Sequence, residues 1–306
     1  MNDQQQTVFI AGATGYLGRH LVQEYVLRGW HVRALVRNAE SATASGLGAH
    51  DYATAEATQP DTLKGVMEGA DLVISALGIT RQRDGLTYRA VDYQANLNLL
   101  REAERANVKR FAYVHVLGAR QMMGVPLVQA KQAFVDQLEC SPIPSTVIAP
   151  SGYFSDMAEI LNSAKVGRAW VFGDGSKRLN PIHGADLAKA VADAVDRGDA
   201  WLDVGGPDTF TQGQLARLAF DVLGKPATIS HVPDWVRKAA IAVLPRVTPI
   251  HVHGPAQFFL SALGIDMVGE PHGTRRLEDH FRELAADATN KRGSNQGHAN
   301  GFLTAG

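Results

Sequence analysis

The chain has 306 residues, of which 45% are hydrophobic, and a formal net charge of −1. This length suits one large α/β domain, or a core domain with a smaller lobe. The balanced charge gives no electrostatic case for nucleic acid as a partner. The single cysteine, Cys140, excludes an internal disulfide and a cysteine-rich metal site. Since no secretory signal and no apolar run of membrane-spanning length are evident, we expect a cytoplasmic protein without a transmembrane segment.

Strand and helix patterns alternate along the first half of the chain. Short apolar runs predict strands, and apolar residues at three- and four-residue spacing predict the helices between them. The predicted strands are Thr7–Ala11, His31–Val36, 71–76, 110–116 and 145–149, with a weaker one near 49–53. The predicted helices cover 16–28, 60–68, 86–106 and 127–139. This alternation predicts an α/β fold with a doubly wound parallel sheet, which binds ligands beyond the carboxyl ends of its strands.

A glycine-rich turn joins the first predicted strand to the first predicted helix. Gly12 permits a tight turn, Gly15 lets backbone N–H groups approach a pyrophosphate, and Gly18 lets the helix pack closely on the strand. The N-terminus of the helix also favours phosphate charge. The turn therefore predicts a dinucleotide site, with a tight turn that binds no ligand as the alternative. The other residues that we assign to this site are Thr14, Tyr16 and Leu17.

Beyond residue 150 the segments become shorter and turn signals become more frequent. Two helices remain clear, at 184–197 and 211–223. We therefore predict three parts, which are a dinucleotide-binding core (1–150), a smaller C-terminal lobe on the substrate side with late sheet elements (151–286) and a disordered tail (287–306). The tail is predicted to be disordered because it is rich in Asn, Gly, Ala and Ser and has no apolar period.

Several segments resemble the short-chain dehydrogenase/reductase superfamily, whose core is a Rossmann fold. The glycine turn, segment 71–78 as the fourth strand and segment 91–100 as the central helix carry this resemblance, which covers residues 7–210. It is strongest to the atypical NAD(P)H-binding branch, which includes NmrA-like proteins, isoflavone-reductase-like enzymes and divinyl chlorophyllide reductases. The resemblance implies that the residues at the end of the fourth strand line the cofactor groove. These residues are Ala76, Leu77 and Gly78.

The catalytic pair of the superfamily is incomplete in this chain. Typical members carry Tyr-x-x-x-Lys, in which the lysine holds the nicotinamide ribose and lowers the pKa of the tyrosine. Lys131 keeps the lysine position, but Leu127 stands at the tyrosine position and His115 at the position of the catalytic serine. The resemblance implies that Lys131 positions the cofactor, with proton donation as a second role and a surface lysine as the alternative. His115 is the second catalytic candidate, as an acid of near-neutral pKa or a substrate hydrogen-bond partner, and a core histidine is its alternative.

Three further residues are candidates for contacts with the cofactor. Arg37 follows the second strand, where NAD-preferring sites usually carry an acid, and its guanidinium can pair with a 2′-phosphate. This favours NADPH over NADH, with a solvated arginine as the alternative and Arg33 as a weaker candidate. The resemblance implies that Glu56 lies near the adenine and that Tyr153 lies against the nicotinamide. An exposed loop acid and an aromatic side chain that closes the pocket are their respective alternatives.

Two remaining patterns concern metal and membrane. Neither His251 with His253 nor His183 with Asp186 has a third ligand at a recognisable spacing, so no metal site is predicted. The stretch 235–244 is amphipathic and carries a small basic patch. We expect it to be a helix packed on the core, and weak contact with a membrane surface or a hydrophobic carrier is the alternative.

Together these observations predict an NADPH-dependent oxidoreductase that delivers hydride to a conjugated acceptor, such as a quinone, an enone or a vinyl group. Hydride addition to such an acceptor places charge in a delocalised system, so the missing tyrosine is less of an obstacle. The alternative is a redox sensor or assembly factor that binds NADP(H) without catalysis. An open pocket beside the nicotinamide favours the enzyme, and a blocked one favours the sensor.

Overall fold

A computed structural model describes residues 5–79 and 85–287 of the chain. Its strands are β1 (Thr7–Ala11), β2 (His31–Val36), β3 (Asp51–Thr54), β4 (Leu72–Ser75), β5 (Arg110–Val114), β6 (Ser145–Pro150), β7 (Ala169–Phe172), β8 (Arg178–Leu179), β9 (Trp201–Gly205), β10 (Phe210–Thr211), β11 (Ile229–Val232) and β12 (Glu270–Pro271). Eight of them form one parallel sheet in the order β12-β9-β6-β5-β4-β1-β2-β3. The chain reverses its direction of winding between β1 and β4, which opens the crevice where such sheets bind ligands.

Helices cover both faces of this sheet. They are α1 (Tyr16–Leu27), α2 (Ala39–Ala44), α3 (Asn96–Arg105), α4 (Pro126–Glu139), α5 (Phe154–Val166), α6 (Gly184–Arg197), α7 (Gln212–Val222), α8 (Asp234–Val247) and α9 (Ile250–Ala262). A further helical segment covers residues 277–287. The predicted tail therefore lies outside the described residues, apart from residue 287, which is helical.

The two faces of β1 show how the sheet divides the core. Successive side chains of a strand point to opposite faces, so Val8 and Ile10 pack into the cluster that contains α1 and α6. Phe9 packs into the cluster that contains α3 and α4. All three side chains are fully buried. A strand that is apolar on both faces is what a helix-covered parallel sheet requires, and the predicted doubly wound fold is confirmed.

A smaller lobe lies at the C-terminal side of the sheet. It contains two two-stranded sheets, β8 with β10 and β7 with β11, and packs α5 against α7. Its core includes the fully buried side chains of Phe154, Leu161, Phe220 and Phe281. β9 and β12, by contrast, join the main sheet, so residues after 150 contribute both to the lobe and to the sheet.

The predicted helix at 60–68 is wrong. Only a single 3-10 turn, Pro60–Leu63, forms there. Gly65 and Gly69 both adopt positive φ, at 83° and 75°, which is incompatible with a continuing right-handed helix. Turn-forming glycines thus prevailed over the apolar spacing.

The predicted helix at 86–106 is interrupted by a change of helix type. Residues Arg89–Ala95 form a π-helix, and only Asn96–Arg105 is α-helical. The side-chain amide of Asn96 donates to the carbonyls of Val91 and Asp92, both at 3.1 Å, and so occupies acceptors of the helix backbone. π-Helical segments of this kind occur frequently at functional sites.

The other predicted elements are present with small shifts at their ends. The helix at 184–197 has the predicted bounds, and the helix at 211–223 begins one residue later and ends one residue earlier. The weak strand near 49–53 is Asp51–Thr54, and the strand predicted at 110–116 ends at Val114.

Replacement of Gly18 by alanine is expected to destabilise the fold. An added Cβ would lie 2.0 Å from the carbonyl oxygen of Gly12 and 2.7 Å from Cα of Ala13, and backbone atoms cannot rotate away. We expect Gly18→Ala to lower the free energy of unfolding by roughly 1–3 kcal/mol in urea denaturation. Gly48→Ala is the matched control, because its Cβ meets open space. Equal urea midpoints for Gly18→Ala and the wild type would contradict this packing.

Candidate functional site

The glycine turn presents free backbone donors to the crevice. Gly12 adopts φ +79°, and a Cβ there would lie 2.8 Å from the backbone carbonyl of Ala76. The N–H of Gly15 donates to the carbonyl of Gly12 at 3.0 Å and closes the turn. α1 begins immediately afterwards with no side-chain cap and no acidic residue in its first turn. The N-terminal N–H groups of the helix therefore suit a pyrophosphate, and NAD(P)H fits this cradle.

A cleft of about 270 Å³ extends from the glycine turn over the carboxyl ends of the neighbouring strands. It brings together most of the residues that the sequence assigned to the cofactor. They are Gly12, Thr14, Gly15, Arg37, Glu56, Ala76, Leu77 and Gly78. These residues come from four separate loops, so the cleft exists only because the sheet aligns the ends of its strands.

Two of the assigned residues do not present their side chains to this cleft. Leu17 is buried in the core between α1 and the sheet. The hydroxyl of Tyr16 accepts a hydrogen bond from the backbone N–H of Gly184 at 3.0 Å, and its ring lies 5.6 Å from that of Tyr153. The interpretation of Tyr16 and Leu17 as cofactor ligands is therefore restricted to their backbone N–H groups.

The arginine candidates are clearly separated. Arg37 is exposed and lines the cleft, where a 2′-phosphate could reach it. Arg33 donates to the carbonyls of Val66 at 3.2 Å and Glu68 at 2.9 Å, and these contacts hold it away from the cleft. The weaker candidacy of Arg33 is therefore wrong. Glu56 lines the same cleft and accepts a hydrogen bond from the hydroxyl of Thr58 at 3.2 Å.

A second cavity of about 260 Å³ adjoins the first and shares with it Ala76, Gly78 and Ile79. It contains Lys131, His115 and Tyr153, together with Leu127 at the position that a tyrosine holds in typical members of the superfamily. The opposite wall comes from the C-terminal lobe. The residues of that wall are Phe258, Phe259, Ala262, Leu263, Ile265 and Met267. The cavity is thus a largely apolar chamber with a single cation at its inner end.

Lys131 is held by a buried acid that the sequence reasoning missed. Its Nζ lies 3.3 Å from Oδ1 of Asp92 and 3.2 Å from the carbonyl of Val114, which accepts a hydrogen bond from it. Asp92 is fully buried, and burial raises its pKa to about 6 although the charge of Lys131 opposes the shift. A Cβ on Gly78 would lie 2.7 Å from this carboxylate and 3.0 Å from Nζ, so a glycine is needed there.

Asp92 could have been found from its spacing. It lies four residues before Asn96 in a segment that otherwise reads as an apolar helix, and both side chains are fully buried. Asn96 also faces the hydroxyl of Ser75 at 2.5 Å, at the end of β4. A buried acid and amide at helical spacing in such a segment indicate a polar network rather than a core face.

His115 lines the cavity as a neutral imidazole. Burial, and then the nearby charge of Lys131, lower its pKa to about 4. The expectation of a near-neutral pKa is therefore wrong. Its Nε2 lies 3.3 Å from the amide oxygen of Gln132, and its Nδ1 is buried with no hydrogen-bond partner among residues 5–79 and 85–287. His115 can accordingly hydrogen-bond a ligand but cannot serve as an imidazolium acid at neutral pH.

Tyr153 closes the cavity between the sheet and the lobe. It follows β6, pairs in a β-bridge with Ile182 and precedes α5. Burial raises the pKa of its hydroxyl, so the group stays protonated. Its ring and hydroxyl both belong to the lining of the chamber that also contains Lys131.

Two further searches cover only the described part of the chain. No three His, Cys, Asp or Glu side chains are placed to hold a metal ion together. His183 instead caps α6 by accepting from the N–H of Ala185, and Asp186 accepts from the N–H groups of Thr274 and Arg275. None of the described helices is long and apolar enough to cross a membrane.

Comparisons with known proteins give relatives of different activity. The chain is 27% identical over 234 residues to a photosystem II assembly factor of Synechocystis, covering 74% of this chain and 70% of the relative. It is 28% identical over 261 residues to the chloroplastic divinyl chlorophyllide a 8-vinyl-reductase of Zea mays, covering 78% of this chain and 65% of the relative. It thus spans slightly less than two thirds of the maize protein.

A solved structure agrees in fold. The NADPH-dependent quinone oxidoreductase of Escherichia coli, complexed with NADPH, has a TM-score of 0.69 and 20% identity, and the match covers 90% of this chain and 99% of that one. A family model described as NAD(P)H-binding matches residues 12–197, which is more than half of the chain. The resemblance to the atypical short-chain dehydrogenase/reductase branch is thereby confirmed. The chain belongs to the NAD(P)H-binding family of Rossmann-type oxidoreductases.

Proposed function

We propose that the protein is an NADPH-dependent reductase of a conjugated, hydrophobic acceptor such as a quinone, an enone or a vinyl group. The observation that carries this proposal is the open apolar chamber, which adjoins the cofactor cleft at Ala76, Gly78 and Ile79 and ends at Lys131. An open chamber beside the reactive end of the cofactor suits an enzyme, since a sensor has no need of space there. NADPH, when bound, supplies the hydride.

The residues of the chain divide the remaining work between them. The N–H groups at the start of α1 bind the pyrophosphate, and Arg37 binds the 2′-phosphate. Lys131, held by Asp92, hydrogen-bonds the nicotinamide ribose and so fixes the distance between the cofactor and the acceptor. His115 positions the acceptor through its unpartnered nitrogen, while the apolar wall excludes water.

The proton that completes the reduction comes from solvent or from a weak donor. Leu127 leaves no hydroxyl at the position of the usual proton donor. Hydride addition to a conjugated acceptor creates an anion whose charge is spread over several atoms, and such an anion is protonated readily. The loss of the tyrosine therefore favours a conjugated acceptor over a simple ketone, which needs a proton as the hydride arrives.

The alternative is an assembly factor without catalysis. The Synechocystis relative is named as an assembly factor, and the absence of the tyrosine suits such a role. The two functions differ in turnover. We expect the purified protein to oxidise NADPH in the presence of quinones or enones but not of simple ketones, as followed by NADPH absorbance. Tight NADPH binding without turnover across such a panel would favour the assembly factor.

Replacement of Lys131 tests where the reaction occurs. We expect Lys131→Ala to lower kcat/KM by roughly 10–100-fold, because it removes a charge-assisted hydrogen bond to the cofactor. Lys189→Ala is the control, since Lys189 is exposed on α6 and pairs with Asp193. Equal turnover by Lys131→Ala and Lys189→Ala would place the reaction elsewhere.

Replacement of Arg37 tests the preference for NADPH. We expect Arg37→Ala to raise the Kd for NADPH by roughly 10–100-fold and to leave the Kd for NADH almost unchanged, since only NADPH carries the 2′-phosphate. Cofactor fluorescence titrations measure both constants. Arg101→Ala, on the exposed face of α3, is the control. A similar loss for both cofactors would contradict the assignment of Arg37.

The pair of Asp92 and Lys131 predicts a pH-dependent stability. Because the folded-state pKa of Asp92 is raised to about 6, this group stabilises the fold at low pH, and the contribution is lost as the pH rises through that value. Asp92→Asn cannot ionise. We therefore expect its free energy of unfolding to improve relative to the wild type between about pH 4 and about pH 7. Asp221→Asn, an exposed acid on α7, should give a constant difference, and the same constancy in Asp92→Asn would refute the shift.

A further inference from the structure

Helix α8 exposes its apolar side and buries a polar one. Trp235, Ala239, Val243 and Val247 follow one another at four-residue spacing, so they form a single ridge along the helix. All four are exposed, Trp235 by 69% and Val247 by 67%. The expectation that segment 235–244 packs on the core through its apolar side is therefore wrong.

The inner side of the hairpin formed by α8 and α9 is polar. Arg237 is the only buried residue of α8, and its guanidinium donates to the carbonyl of Leu260 in α9 at 2.9 Å. Gln257 of α9 is likewise buried and donates to the carbonyl of Ile241 at 3.4 Å. α8 packs mainly against α9. A hairpin that turns its apolar side chains outwards has a surface that requires an apolar environment.

The charge of the hairpin is as one-sided as its polarity. No acidic residue occurs from 235 to 265, in a chain whose overall net charge is −1. Lys238 and Arg246 are exposed and lie at positions adjacent to the apolar ridge, eight residues apart and hence on one side of the helix. An apolar ridge that contains tryptophan and is flanked by cations is typical of helices that lie in the interface of an anionic membrane.

The same hairpin forms the wall of the reaction chamber. Phe259 of α9 lines the chamber and is also 41% exposed, so it belongs to both surfaces. Its neighbour Phe258 lines the chamber as well, with the two ring centroids 5.4 Å apart. Ile250 and Val252 continue the exposed apolar surface at the start of α9. An apolar path thus leads from the outer side of the hairpin to the chamber.

We propose that the hairpin of α8 and α9 docks the protein on an anionic lipid bilayer, and that the chamber receives a lipophilic acceptor directly from it. Helices of 14 and 13 residues are too short to span a bilayer, so the hairpin lies in its interface. The docking stands on the hairpin alone. The second half, delivery of the acceptor, rests on the proposed reductase function.

Flotation of the full chain with lipid vesicles tests the docking. We expect the wild type to float with vesicles of phosphatidylcholine and phosphatidylglycerol and to bind vesicles of phosphatidylcholine alone more weakly. The double variant Trp235→Ser with Val247→Ser should lose at least about tenfold in partitioning. Lys238→Gln with Arg246→Gln should lose roughly fivefold per charge, and only on anionic vesicles.

A matched control separates the hairpin from general surface hydrophobicity. Leu27 at the end of α1 is 83% exposed, and Leu27→Ser should float as the wild type does. The thermal midpoint of each variant checks that it is folded. No flotation of the wild type, or equal flotation of the double variant, would overturn the docking. A concentration-dependent dimer that the double variant abolishes, without vesicle binding, would assign the surface to a second copy of the chain and also overturn it.

Turnover of two acceptors tests the delivery separately. A short-chain quinone in solution should be reduced equally by the wild type and the double variant. A long-chain quinone embedded in anionic vesicles should be reduced several-fold more slowly by the double variant. Flotation without turnover of either quinone would leave the docking standing and reject the reductase. Turnover of both at rates that the double variant does not change would reject the delivery alone.

Discussion

The backbone of Gly12 contacts the end of β4 more closely than any side chain would permit. A Cβ on Gly12 would lie 2.8 Å from Ala76, and one on Gly18 would lie 2.0 Å from the carbonyl of Gly12. This double contact draws the start of α1 down onto two adjacent strand ends. The anion-binding N–H groups and the loop from Ala76 to Ile79 thereby come to border one cleft. Both cavities share that loop, so their union depends on this contact.

The buried pair of Asp92 and Lys131 makes the next demand on the structure. Two charges away from water are tolerated only when hydrogen bonds and close geometry compensate for lost hydration. Here the carbonyl of Val114 accepts from Lys131, and Asn96 fixes the π-helical segment that carries Asp92. The pair is thus an arrangement that the fold must maintain, and its position at the inner end of an apolar chamber gives it a use in positioning the cofactor.

The hairpin of α8 and α9 obeys a different rule from the remainder of the molecule. Elsewhere apolar residues face inwards, as in the clusters on the two sides of the sheet. In the hairpin, Arg237 and Gln257 are inside and Trp235 is outside. Because α9 also lines the chamber, the surface that lacks a covering partner is continuous with the place where the acceptor is proposed to bind.

The sequence alone determined the sheet, the glycine turn and the location of the cofactor cleft, because strand alternation and glycine spacing are local patterns. It could also place Lys131 and Leu127 in one site, since they lie one helical turn apart. The tertiary structure decided the rest. The distance between Asp92 and Lys131 joins segments 39 positions apart, the orientation of Arg33 depends on carbonyls of a distant loop, and the pKa of His115 depends on burial. The outward apolar ridge of α8 was likewise invisible, because an amphipathic pattern gives the two sides of a helix but not which of them faces solvent.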